Sequence, residues 1–152
     1  MTRLLGIDLG RRRIGVAVSD DAAASARPLA TLARAREPEQ DAATLSRLAS
    51  EQRAVGLVVG LPLTMDGRIG AQAGETQRWA ERIATLTGLP VTLRDERLTT
   101  DRAGRRVGKP PRGPAGGPPS TTRRRAHSAR LDREAATLIL QAELDARRSL
   151  TS

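Results

Sequence analysis

The chain has no cysteine, no phenylalanine and no tyrosine, one tryptophan (Trp79), one histidine (His127) and one lysine (Lys109). Without thiols it has neither a disulfide framework nor a thiolate metal site. Without an aromatic platform, stacking on rings cannot be its way of holding nucleic acid. A lone histidine inside a strongly basic stretch argues against a histidine-activated nucleophile. No run of about 18 apolar residues could span a bilayer. The N-terminus lacks the charged-then-apolar layout of a signal peptide. At 152 residues, a single domain with a real core, working in the cytoplasm without a membrane, is the expectation.

Arginine and alanine are both abundant, a skew that reflects coding bias as much as function, so position matters more than number. Residues 102–131 carry Arg102, Arg105, Arg106, Lys109, Arg112, Arg123, Arg124, Arg125 and Arg130 and no acid. The remainder balances 17 basic against 17 acidic residues, so the net charge of +9 belongs to that one segment. Such a block reads as a footprint for a polyanion, its rival being a solvated basic loop without a partner.

Apolar runs at 3–9, 14–19 and 27–32 predict three short antiparallel strands, with a turn over Gly10 to Arg13. Pro38 opens a predicted helix to Gln52, in which Ala42, Leu45, Leu48 and Ala49 share a face. "AVGLVVG" (54–60) suits a strand buried on both faces of a parallel sheet. A loop with an Asp66-Gly67 turn leads to a helix over 71–87, ended by Gly88. "LPVTLRDE" (89–96) reads as the last core strand, and 132–147 as a final helix. Between Gly104 and Pro119 there are five glycines and five prolines in 16 residues, which predicts a flexible loop within the basic segment at about 103–130. Strand–helix–strand units after a meander give a mixed five-stranded α/β sheet with helices on its faces.

Asp8 stands in the middle of the first strand, where an unpaired carboxylate is costly. Glu96 ends the last core strand, and Asp132 opens the predicted final helix. Were these acids to converge, they would repel one another until a hard dication bound between them. Oxygen donors suit Mg²⁺ or Mn²⁺, and such ions activate water and stabilise the leaving oxygen of a phosphodiester. Each acid also has a plainer reading. Asp8 could pair with an arginine of Arg11 to Arg13, Glu96 and Asp95 with Arg94 or Arg97, and Asp132 could cap its helix. "GIDLGRRRIG" lacks a Walker lysine and the G-x-G-x-x-G pattern.

Four blocks in order, "GIDLGRRRIGVAVSD", "VVGLPLTMDGRIGAQAGETQRWAERI", "VTLRDERLTT" and "LDREAATLILQAELD", resemble the YqgF/RuvX family. These bacterial proteins are described as Holliday junction resolvases and as nucleases of pre-16S ribosomal RNA. The resemblance implies an RNase H-like fold and a metal-binding catalytic set at Asp8, Glu96 and Asp132 for Mg²⁺ or Mn²⁺. It implies a nuclease acting at the 5′ end of the pre-16S RNA, free or in a pre-ribosomal particle. Arg11, Arg12, Arg13, Arg97, Arg105, Arg106, Lys109, Arg123, Arg124 and Arg125 would contact the nucleic acid, and Thr64, Asp66 and Gly67 would line the cleft unless they only form a turn. The sequence departs from the family at 103–130, where members carry a helix and then a short basic loop. Three alternatives stay open: a junction resolvase acting on branched DNA, a non-catalytic RNA-binding assembly factor, and a nucleotide binder with an actin-like phosphate loop. A two-fold dimer suits the resolvase, whereas the RNA nuclease fits a monomer or a homodimer.

Overall fold

The computed structural model describes residues 3–97, 99–109, 112–113 and 116–151. A five-stranded sheet carries β1 (Arg3–Leu9), β2 (Arg13–Ser19), β3 (Ala26–Ala33), β4 (Ala54–Leu61) and β5 (Val91–Asp95) in the order β3-β2-β1-β4-β5. The first three strands form an antiparallel meander, and β1, β4 and β5 run parallel. This is the mixed sheet expected from the sequence.

Two helices cover one face. α1 (Pro38–Gln52) starts with proline in its first turn and ends where Arg53 turns left-handed, and α2 (Ala71–Thr87) ends at Gly88 with φ of 72°. They close a core of Leu5, Ile7, Val16, Leu45, Leu57 and Ile83, all 1% exposed or less. Burying side chains of this kind stabilises by roughly 1.5–3 kcal/mol each before entropy is counted. Alternation along β1 sends Leu4, Gly6 and Asp8 to the other face, beneath α4 (Thr121–Thr151). There Ala136, Ile139, Leu140 and Leu144 pack on Leu4, Ala17 and Val58. α3 (Thr99–Val107) follows β5 and leans on α4, where Arg106 Nη1 lies 2.8 Å from Glu134 Oε1.

The basic segment departs from expectation. The predicted loop from Gly104 begins inside a helix, because the prolines start only at residue 110, beyond the end of α3. Pro110, Pro111, Pro114, Ala115 and the side chain of Arg102 lie outside the described residues. The final helix starts at Thr121 rather than Asp132, so residues 121–130 are helical and Asp132 sits in the helix interior. That excludes the capping role. No helix among the described residues is long and apolar enough to cross a membrane.

Candidate active site

Asp8 is flanked in the sheet by two glycines. On β2 its antiparallel partner is Gly15. On the other side the β1–β4 pairing runs to Ile7 and Val59, which brings Gly60 level with Asp8. Each glycine clears space for one further acid. A Cβ on Gly15 would sit 2.0 Å from the carbonyl oxygen of Asp132, so α4 rests directly on that backbone and seats Asp132 beside Asp8. A Cβ on Gly60 would sit 2.7 Å from Glu96 Oε2. Glu96 follows the last residue of β5, and its N–H donates to the Leu61 carbonyl at 3.1 Å. Its side chain crosses the gap above Gly60 and hydrogen-bonds Asp8. The acid on β1 and the acid just past β5 therefore meet although the whole of β4 separates their strands.

The electrostatics follow from this packing. Burial, aided by the charge of Asp132, outweighs the hydrogen bond from Glu96 and leaves the Asp8 carboxyl raised to about 6. Burial drives Glu96 to about 9, reinforced by the charge of Asp8. Like charges this close and this buried do not both ionise, so near neutral pH the pair keeps one proton, on Glu96, donated to Asp8.

Asp132 is held differently: Arg13 Nε lies 2.6 Å from its Oδ2. The arginine that could have neutralised Asp8 thus neutralises Asp132. Asp8, Asp132 and Arg13 line a cavity of about 170 Å³, closed by Ala103 of α3 and by Ser128, Leu131 and Ala135 of α4. Among the described residues no three acids are already disposed around one point as a metal cage. The donor set nevertheless fits a hard dication. It is all carboxylate, one acid is kept protonated by burial and by the charge of its neighbour, and a guanidinium already occupies Asp132 as a counter-charge.

None of the remaining sequence candidates lines this cavity. Arg11 and Arg12 are exposed on the β1–β2 turn. Arg97 pairs with Asp95 at 2.8 Å and donates from Nη1 to the Met65 carbonyl at 3.3 Å. Arg105 and Arg106 lie on α3, Lys109 just beyond it, and Arg123, Arg124 and Arg125 on the exposed start of α4. Thr64, Asp66 and Gly67 close a turn on themselves. Thr64 Oγ1 donates to Asp66, the Gly67 N–H donates to the Thr64 carbonyl at 2.8 Å, and Gly67 has φ of 84°. Arg97 ties this turn to the segment carrying Glu96, but none of its residues lines the cavity of Asp8 and Asp132. The sequence reading missed Gly15 and Gly60. Glycines inside otherwise β-branched strands were the available signal.

Residues 2–146 match the model of the RuvX family, described as Holliday junction resolvase. The chain belongs to the RuvX family. A relative from Synechococcus elongatus, named "Putative pre-16S rRNA nuclease", is 41% identical over 95% of this chain and 89% of its own. A relative of the same name from Anaeromyxobacter is 43% identical over 95% of this chain and 98% of its own. Among solved structures, T. thermophilus RuvC in complex with Holliday junction substrate is similar, with a TM-score of 0.54 at 18% identity, covering 98% of this chain and 97% of that one. That likeness establishes the RNase H-like fold.

Proposed function

We propose that this RuvX chain is a divalent-metal-dependent nuclease that hydrolyses phosphodiester bonds at the 5′ end of pre-16S ribosomal RNA, in the cytoplasm. The observation that carries this reading is the half-buried, proton-sharing Asp8–Glu96 pair beside Asp132 at one end of the sheet. Two acids held together and largely out of water are costly as a structural element. They are favourable where a dication replaces the shared proton. Asp8, Glu96 and Asp132 would hold Mg²⁺ or Mn²⁺, which supplies Lewis-acid polarisation of the phosphate and activation of water. Asp8 is the residue ready to accept a cation, because its neighbour carries the proton. Glu96 must release that proton for the full donor set to form. Arg11, Arg12, Arg97 and the cations of α3 and α4 would position the RNA backbone without reading sequence.

The decisive experiment is cleavage of a pre-16S RNA fragment and of a synthetic four-way DNA junction, with Mg²⁺, Mn²⁺ or EDTA, by wild-type protein and Asp8→Asn. Metal-dependent RNA cleavage lost in Asp8→Asn is the expected result. Cleavage unaffected by Asp8→Asn or by EDTA overturns the reading. The family description favours one rival, a junction resolvase. Cleavage of the junction in preference to RNA, by a two-fold dimer in solution, would select it.

A further inference from the structure

A second cavity, of about 300 Å³, opens on the opposite face of the sheet, just past Asp8. Leu9, Gly10 and Arg11 form one wall, Arg34 a second, and the first turns of α2, with Gln72 and Thr76, the third.

The chemistry of this cavity is that of an anion site. α2 is 17 residues long, and its start has Gly70 at the cap with no side-chain acceptor and no acid in the first turn. Its leading N–H groups and their dipole are therefore unanswered. Thr76 supplies the independent observation. It is 2% exposed, it lines the cavity, and its hydroxyl has no hydrogen-bond partner among the described residues. Thr44, Thr85, Thr87 and Thr137 instead donate to the carbonyl four residues earlier. A hydroxyl on an otherwise buried side chain, bonded to nothing among the described residues and open to the cavity, is placed to bond a ligand there. Arg34 is fixed at the rim by the Gly10 carbonyl at 2.9 Å and by Glu75 at 3.1 Å, and Arg11 adds an exposed cation. Glu75 cancels one of the two positive charges, so the site suits a single phosphate better than a polyphosphate. An adjoining groove shares Arg34 and Glu75 and carries Arg78 onward along α2.

We propose that this cavity binds one phosphate group of the substrate backbone, a nucleotide or more removed from the bond that is cut. The proposal rests on the nuclease reading for its source of phosphate. Only the turn from Gly10 to Arg13 separates the two cavities along the chain, so a strand crossing that turn would meet both.

The test separates the two readings. Binding of a fluorescently labelled pre-16S RNA fragment is measured over a range of KCl concentrations in an Asp8→Asn background. Arg11→Gln and Arg34→Gln should each flatten the slope of log affinity against log salt by about 0.7–0.9. Thr76→Val, uncharged and of equal size, should weaken binding roughly tenfold and leave the slope unchanged. In parallel, inorganic phosphate is titrated into the ¹⁵N-labelled protein. The amides of Gly10, Ala71 and Gln72 should shift, and should stop shifting in Thr76→Val. No shift, or RNA affinity indifferent to all three variants, overturns the proposal. Shifts with phosphate but unaltered RNA binding also overturn it and mark a site for a free phosphomonoester. Should the chain bind no RNA at all, the nuclease reading falls, and the proposal with it, while the phosphate titration still tells whether the cavity takes an anion.

Discussion

Arg13 grips Asp132 through Nε and Oδ2 at 2.6 Å, and so leaves Asp8 to Glu96. A cation entering the site must compete with this guanidinium for one of its three acids. Arg13→Gln removes the competitor. Partly exposed pairs of this kind contribute about 0.2–1 kcal/mol. Mn²⁺ affinity, measured by calorimetry, should therefore rise about 1.4- to fivefold. Weaker binding would assign Arg13 to holding Asp132 in place instead.

Asp8→Asn separates stability from chemistry. A half-buried carboxylate is exchanged for a neutral amide that can still accept from Glu96. The melting temperature without metal should not fall, whereas cleavage should drop more than about a hundredfold, because metal chemistry is worth several kcal/mol. A large loss of melting temperature would instead make Asp8 a structural residue.

The raised carboxyl of Glu96 gives a pH dependence whose sign is fixed. Between its ordinary value of 4.5 and about 9, the folded chain holds a proton that the unfolded chain has lost. Stability therefore declines as pH rises through this window in EDTA, with a limiting slope of one proton above about pH 6 and a steeper one below it, where the raised Asp8 adds to Glu96. A dication binds the deprotonated form, so Mg²⁺ should bind more tightly at pH 8 than at pH 6 and release a proton as it binds. Urea titrations at several pH values, with and without Mg²⁺, would show both trends.

The two glycines beside Asp8 should differ in cost. At Gly60 an added methyl meets Ile139 Cδ1 at 2.4 Å and Glu96 Oε2 at 2.7 Å, both ends of side chains that can swing aside. At Gly15 it meets backbone at 2.0 Å. Gly60→Ala should lose about 1–3 kcal/mol and displace Glu96 from Asp8. Gly15→Ala should lose more, by lifting α4 off the sheet. Equal losses in urea denaturation would count against direct seating of α4 on Gly15.

Arg123, Arg124 and Arg125 lie on the exposed first turns of α4. Replacing all three by glutamine should flatten the salt slope of RNA binding by about 2. Affinity should fall alike for RNAs of different sequence. An unchanged slope would mean that these charges face only solvent.

Much of the sheet was legible in advance, because each strand is short, apolar and bounded by turn residues. Proline at the start of α1 and glycine at the end of α2 fixed those helices closely. Asp8, Glu96 and Asp132 stood out because acids in or beside core strands require a counter-charge. The segment from 99 to 130 was harder to read for two physical reasons. Glycine and proline content averaged over 104–119 hid that its first four residues are free of proline and continue a helix. Residues 121–130 have no apolar stripe, so periodicity is silent. They stay helical as an extension of the packed turns that follow, in arginine- and alanine-rich sequence with good helix propensity. The roles of Gly15 and Gly60 depend on strand register and on how closely α4 approaches, neither of which a linear pattern carries.

The length of α4 has a dynamic consequence. At 31 residues it is about 46 Å long, and Asp132 lies where its solvated outer turns give way to turns clamped on the sheet. Amide exchange should divide this unbroken helix in two. Protons before about residue 127 should exchange by local fraying, and those around Ala136 to Leu144 only with global unfolding. Substrate held by the outer turns would suppress the fraying, so occupancy of the distant arginines would be felt as added rigidity at Asp132.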